Sequence, residues 1–311
     1  MNERISVIMS VYNEPIEYLR LSVNSILSQT YRNIQFIIVL DNPENNQLLN
    51  YLLNYEKKDN RVLLLRNPIN IGLTASLNRA LEVADGKYIA RMDADDISEP
   101  NRIEKQIAYI KLFELDLVGC ETRWISSTNE VIKKRHNKSY PPQCIDAWLM
   151  YEDCIAHPSW LVKHTVYRSL KGYRDIKACE DYDFLLRARR KGYKLGICDE
   201  VLLSYRINDK GISQNNLLRQ VLSSYYLQKN YRKIDKITQD DIDKYLAKRN
   251  TLENNKNYVQ GIQYLYVASN NAKRKSIGLL WNLLLSVRTS RFVWINLRMI
   301  VNLIFIRKKY R

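Results

Sequence analysis

Four short, nearly uninterrupted apolar runs lie between Arg4 and Met92, separated by stretches of helical spacing, and few folds accept that alternation. Arg4 to Tyr12 (RISVIMSVY), Ile34 to Leu40, Arg61 to Leu65 and Tyr88 to Met92 are dominated by β-branched and other apolar residues, as expected of strands covered on both faces. Between the first two, Ile16, Leu19, Val23, Ile26 and Leu27 recur at helical spacing, so a helix opened by Pro15 is predicted to run to about Gln29. Gln47 to Tyr55 and Thr74 to Val83 predict two more helices. With right-handed crossovers, β-α-β-α-β-α-β makes the first hundred residues a doubly wound parallel sheet.

Such sheets bind ligands at the carboxyl ends of their strands. Here those ends carry Tyr12-Asn13-Glu14, Asp41, and the cluster Asp93-Ala94-Asp95-Asp96. Mg2+ and similar hard cations take oxygen ligands, commonly one or two carboxylates plus substrate phosphates, which an Asp-x-Asp cluster suits. The competing reading is an acidic turn that caps a helix starting near Glu99-Pro100. The first glycine is Gly72, so the chain has neither the Gly-x-Gly-x-x-Gly of a dinucleotide fold nor a P-loop, nor a pyrophosphorylase's glycine-rich N-terminal loop. Bound phosphates would have to be held through a metal on the Asp cluster.

Further along, Pro100 to Glu114 reads as a helix and Asp116 to Trp124 as a strand. Trp124 to Lys134 reads as a polar hairpin, and Tyr140-Pro141-Pro142 as a boundary before a short helix near Ala147 to Tyr151. In Cys179 to Arg189, Phe184, Leu185 and Ala188 give a helix its core face, and Glu180, Asp181 and Asp183 crowd the first turn. Carboxylates there complement the helix dipole, which is ordinary capping. Alternatively, Asp181, kept ionised by the same dipole, is a general base. The five cysteines form no Cys-x-x-Cys pair, which argues against a disulfide framework or zinc ribbon and for reduced, interior thiols. Cys154 and His157 have ligand spacing but no second pair. Met1 to Arg4 leads straight into the first strand, leaving no room for a signal peptide, so a location inside the cell is expected.

Taken together, VIMSVYNEPIEYLRLSVNSILSQTY, IIVLDN, NPINIGLTASLN, YIARMDADD, HPSW, GYRDIKACEDYDFLLR and VLLSYRIN resemble glycosyltransferase family 2, the inverting nucleotide-sugar enzymes of GT-A fold. The pieces follow the family's order over about Ile5 to Ser213, roughly two-thirds of the chain. The resemblance implies a GT-A catalytic domain over 1–213, with a nucleotide-binding half at 1–97 and an acceptor and catalytic-base half at 98–213. It implies donor contacts from Tyr12, Glu14 and Asp41, and a Mn2+ or Mg2+ site at Asp93 and Asp95, Asp95 being the direct ligand and Asp96 following. It also implies Asp181 as catalytic base with Glu180 beside it. Two positions depart from the pattern. Where many members read Asp-Asp-Gly-Ser, this chain has Leu40-Asp41-Asn42-Pro43, keeping only the second acid. Where many read Tyr-Arg-x-His, it has Tyr205-Arg206-Ile207-Asn208, which puts the third protein ligand of the metal in question. His157, in His-Pro-Ser-Trp, is expected near the acceptor or buried and hydrogen-bonded.

The formal charge is +16, and ten of the sixteen excess positive charges lie from Asn271 onward, where no acid occurs. That segment is also greasy. It ends a helical region at 214–311, with two apolar runs, Ile277 to Val287 and Phe292 to Ile306, that fall short of a spanning helix and are interrupted by Asn282, Arg298 and Asn302. With Trp281, Trp294 and the terminal basic residues, 276–311 suits helices lying on an anionic membrane surface, or else a helix pair packed on the catalytic domain. Membrane docking implies a lipid-linked saccharide acceptor, and by resemblance extension of a polyprenyl-diphosphate-linked oligosaccharide in O-antigen or capsule assembly. The expected partners are thus a nucleotide-sugar donor, UDP-linked by family default, that acceptor, and the cytoplasmic face of the inner membrane. A nucleic-acid-binding protein using the basic tail is the alternative, with no aromatic-basic motif to support it. A catalytically silent scaffold is another, suggested by Asn208 alone.

Overall fold

The computed structural model describes residues 3–134, 140–207, 217–273 and 278–310. They fall into two compact units: Met1–Asp146, Asp153–Asp175 and Phe184–Asn208 form the first, and Ala147–Glu152, Ile176–Asp183 and Asp209–Arg311 the second.

The first unit contains the nine-stranded sheet. Its parallel half is β1 (Ile5–Val11), β2 (Ile34–Leu40), β3 (Val62–Arg66) and β4 (Tyr88–Arg91), with β1 paired to both β2 and β4 and β2 to β3. Every residue of β2 and all but Ser10 of β1 is buried, which is why these strands read as continuous apolar runs. The crossovers are α1 (Ile16–Leu27), α2 (Asn46–Lys58) and α3 (Leu73–Val83). Asn45 caps α2, its side chain accepting from Leu48 N at 3.0 Å. Gly72, at φ +85°, turns the chain into α3 through the left-handed region that glycine enters without a steric penalty.

The strand order is β3-β2-β1-β4-β8-β6-β9-β5, with β5 at Ile97–Ser98, β6 at Leu117–Ile125, β8 at Leu161–Lys163 and β9 at Leu195–Arg206. β8 runs antiparallel between β4 and β6, β9 pairs parallel with β6, and β7 (Val131–Lys134) completes the hairpin with β6. The chain winds outward from β1 to β2 and β3 and then returns to the other flank of β1 for β4. The winding reverses between the carboxyl ends of β1 and β4, the crevice where doubly wound sheets bind ligands. α4 (Arg102–Phe113) and α6 (His164–Leu170) belong to this unit.

Two helices have residues in both units: α5 (Pro142–Trp148), and α7 (Glu180–Arg190), whose acidic first turn is grouped with the second. α5 begins earlier than the sequence predicts because Pro142 has no N–H to leave unsatisfied at a helix start. The second unit is otherwise helical: α8 (Leu217–Lys229), α9 (Gln239–Leu246), α10 (Leu252–Lys273), α11 (Gly278–Thr289) and α12 (Val293–Lys309). Thr238 and Asp241 form a capping box at α9. At Gly261 a β-carbon would stand 2.7 Å from Val293 Cγ2, so α10 approaches α12 closely there.

Candidate active site

The acidic cluster stands at the carboxyl end of β4. Asp93, Asp95 and Asp96 each offer a carboxylate oxygen, and the three lie within 4.8 Å of one another. The loop carrying them is held from two helices. From α1, Ser22 Oγ donates to Asp93 O at 2.7 Å and Ser25 Oγ accepts from Ser98 N at 3.0 Å, and just past its end Gln29 Nε2 donates to Glu99 O at 2.7 Å. From α4, the buried Arg102 donates through Nη2 to Arg91 O at 2.6 Å, while Gln106 accepts from Arg102 Nε at 3.1 Å.

The three carboxylates are not equivalent. Asp93 pairs with Arg91, a buried guanidinium in an otherwise apolar strand. Asp96 is buried and accepts from Arg206 N at 2.8 Å. Asp95 has no ion pair among the described residues. Burial, then the charges of Asp93 and Glu14, push its carboxyl up to about 7. Burial also holds Asp96 well above the carboxylate range, with Asp93 and Asp95 adding to it, and raises Glu14, with Asp93 adding. Concentrated like charge out of water is what a divalent cation relieves, and an all-oxygen donor set matches Mg2+ or Mn2+. The residues fit the ion.

Other candidates lie elsewhere in the first unit. Glu14, after β1, accepts from Tyr12 N at 2.8 Å, and Tyr12 is half exposed. The buried Asp41 closes β2, where it accepts from Asn67 Nδ2 at 2.7 Å, Ile71 N at 2.9 Å and Gly72 N at 2.8 Å. Asp41 thus fastens the turn before α3, and these three bonds leave acceptor capacity on Oδ2 for one further donor. His157 is buried in the first unit's aromatic cluster, its Nε2 2.9 Å from the Tyr173 hydroxyl, which lies 2.8 Å from that of Tyr167. Burial, then the Arg91 charge, holds its imidazole well below its usual pKa, so it is neutral. This is the buried, hydrogen-bonded position expected of it.

Glu180 and Asp181 lie in the first turn of α7, in the second unit. Asp181 is half-buried, and its Oδ1 accepts from Tyr182 N at 2.7 Å. Asn208 lies outside the described residues. Sequence reasoning did not single out Arg91 or the buried polar stripe Ser22, Ser25 and Gln29. The signal for Arg91 was a lone charge inside a strand-like run.

Residues 6–171 match the model of the family described as "Glycosyl transferase family 2". The chain is 34% identical over 238 residues to the O-antigen biosynthesis glycosyltransferase WbnJ of Escherichia coli, covering 74% of this chain and 90% of that one. It is 30% identical over 243 residues to the E. coli UDP-Glc:alpha-D-GlcNAc-diphosphoundecaprenol beta-1,3-glucosyltransferase WfaP, covering 74% and 90%. Among solved structures it superposes on S. aureus TarS 1–349 in complex with UDP-GlcNAc with a TM-score of 0.60 at 16% identity, over 79% of this chain and 71% of that one. At that identity the likeness is one of fold.

Proposed function

The chain belongs to glycosyl transferase family 2, and from that premise we propose that it moves a hexose from a nucleotide sugar, UDP-linked, to a hydroxyl of a saccharide carried on a polyprenyl diphosphate, in O-antigen or capsule assembly. The observation that carries the reading is the trio of carboxylates at the reversal point of the sheet. The names of two relatives, an O-antigen enzyme and a glucosyltransferase acting on a diphosphoundecaprenol-linked sugar, favour the acceptor class.

In this reading the base of the nucleotide lies against Tyr12 and meets the remaining acceptor capacity of Asp41, with Glu14 close by. Asp95, with Asp93, would hold a divalent cation, Mn2+ or Mg2+, which would supply positive charge at the diphosphate. Asp181, with Glu180 beside it, accepts the proton of the acceptor hydroxyl. The freed oxygen forms a bond to the anomeric carbon from the face opposite the nucleotide while the bond from that carbon to the diphosphate oxygen breaks. One displacement inverts the centre, so an α-linked donor leaves a β-linkage.

The helical region supports work at a membrane. On α11, Leu280, Trp281, Leu284 and Val287 are exposed, and on α12 Val301, Ile304 and Phe305 are, in a segment with basic but no acidic residues. No helix among the described residues is long and apolar enough to cross a bilayer. These exposed faces suit peripheral docking on the anionic cytoplasmic leaflet, where a lipid-linked acceptor is presented.

Calorimetry with a panel of UDP-sugars and Mn2+, followed by transfer to a synthetic diphospho-lipid saccharide, tests the reading. Asp181→Asn is expected to lower transfer by about 10²–10⁴-fold, the usual worth of a general base, with donor affinity retained. Full transfer by that variant would remove Asp181 as the base. Absence of nucleotide binding in the presence of metal would leave a silent scaffold.

A further inference from the structure

We infer that Arg206 is the positioning residue of the acidic cluster: without touching a cation itself, it fixes the Asp95-Asp96 backbone in the geometry that binds one. The inference rests on the cation site proposed above and extends it to a residue from the far end of the sheet.

Arg206 is the last residue of β9 and is buried. Its backbone N–H donates to Asp96 Oδ1 at 2.8 Å and its Nε to Asp95 O at 2.8 Å, so it grips two successive residues of the cluster. The rest of the guanidinium reaches away from the acids. Nη1 donates to Ser126 O at 2.8 Å, and Nη2 to Asn129 Oδ1 at 2.8 Å. Its centre lies 4.1 Å from the centroid of the Tyr18 ring, and the Tyr18 hydroxyl donates to Ser127 O at 3.1 Å.

Arg206 therefore joins the Asp95-Asp96 loop to the turn of the β6–β7 hairpin and to α1. A planar fork with fixed donors can serve three acceptors on two segments while stacking on an aromatic ring of a third, which the ammonium of lysine cannot reproduce. Asn129, at φ +68°, presents its side chain from a left-handed turn residue, a conformation asparagine tolerates well among residues with a side chain. Its charge does not explain Arg206, because Arg91 already neutralises Asp93 and the guanidinium of Arg206 bonds the carbonyl of Asp95 rather than a carboxylate. What it supplies is geometry, and groups that orient metal ligands are worth about 10–100-fold in metal affinity.

The test is direct Mn2+ binding, read by electron paramagnetic resonance of the free ion without donor or acceptor, on wild type, Arg206→Lys and Asn129→Gly. Arg206→Lys keeps the charge and is expected to weaken Mn2+ binding at least tenfold. Asn129→Gly keeps the left-handed turn, removes one partner of the fork, and is expected to shift affinity in the same direction by a few-fold; it carries the test should the lysine variant fail to fold. Variants that melt lower but bind Mn2+ as wild type does would overturn the inference alone. A wild-type protein that binds no Mn2+ would remove the cation site and the inference with it.

Discussion

Among single residues, His157 gives the clearest case of burial setting chemistry. Its ring packs 4.6 Å from that of Trp160 and bonds to Tyr173, and the nearby Arg91 charge adds to the desolvation that keeps it neutral. A histidine whose folded pKa is depressed favours the folded state fully above its unfolded value of about 6.5 and loses that contribution as pH falls below it, because the unfolded chain then binds the extra proton. Replacing it with glutamine, which can still bond Tyr173, removes the titration. Urea denaturation between pH 8 and pH 5 should therefore show wild type losing stability more steeply than His157→Gln, by up to about 1.4 kcal/mol per pH unit below pH 6.5. The raised carboxyls of Glu14, Asp95 and Asp96 act in the opposite sense but are common to both proteins, so the difference isolates the histidine. Parallel curves would mean that the ring takes up its proton inside the fold.

At the scale of elements, the positions of the catalytic candidates follow from how tightly strands and turns abut. Gly86 precedes β4, and a β-carbon there would meet the backbone nitrogen of Ser6 and stand 2.8 Å from the carbonyl carbon of Ile5. Its own N–H donates to Ser6 Oγ at 2.9 Å. Because the obstacle is the backbone of a central strand, Gly86→Ala must displace β4 against β1, and a loss of about 1–3 kcal/mol is expected in chemical denaturation, the usual cost of overpacking. Unchanged stability would show that the 84–87 turn can slide. The strands that carry this packing were legible in sequence, since β1, β2 and β4 are buried on both faces and, like the half-buried edge strand β3, read as apolar runs. So was the apolar face of α1. The buried polar stripe along α1 and just past its end was not, because Ser22, Ser25 and Gln29 look like a solvent face unless one knows that the 93–103 segment consumes their hydrogen bonds. β5 and β8, of two and three residues, are too short to show a period at all. The role of Arg206 was not legible for a related reason: its partners come from three separate stretches of chain, and no local pattern records them.

For the molecule as a whole, the separation of charge matters more than its sum. Asp93, Asp95 and Asp96 concentrate negative charge in the first unit, while the segment from Asn271 onward holds ten of the sixteen excess positive charges and no acid. Apolar exposure and basic charge coincide there, and they make different contributions to membrane binding that salt can separate. Electrostatic attraction to anionic lipid is worth about 1 kcal/mol per basic residue near the surface and reaches only about a Debye length, which shrinks from roughly 10 Å at 0.1 M salt to about 3 Å at 1 M. Burial of an indole does not depend on that screening. In co-sedimentation with phosphatidylserine-containing vesicles at 0.1 M salt, Lys308→Gln with Lys309→Gln should weaken binding about thirtyfold, and at 1 M the difference from wild type should nearly vanish. Trp281→Ser, which removes an exposed indole from α11, should weaken binding at both salt concentrations. Two variants with the same salt dependence would mean that the tail does not meet lipid with both its charge and its apolar face. Wild type that stays in the supernatant at 0.1 M would exclude docking of these helices on such a membrane.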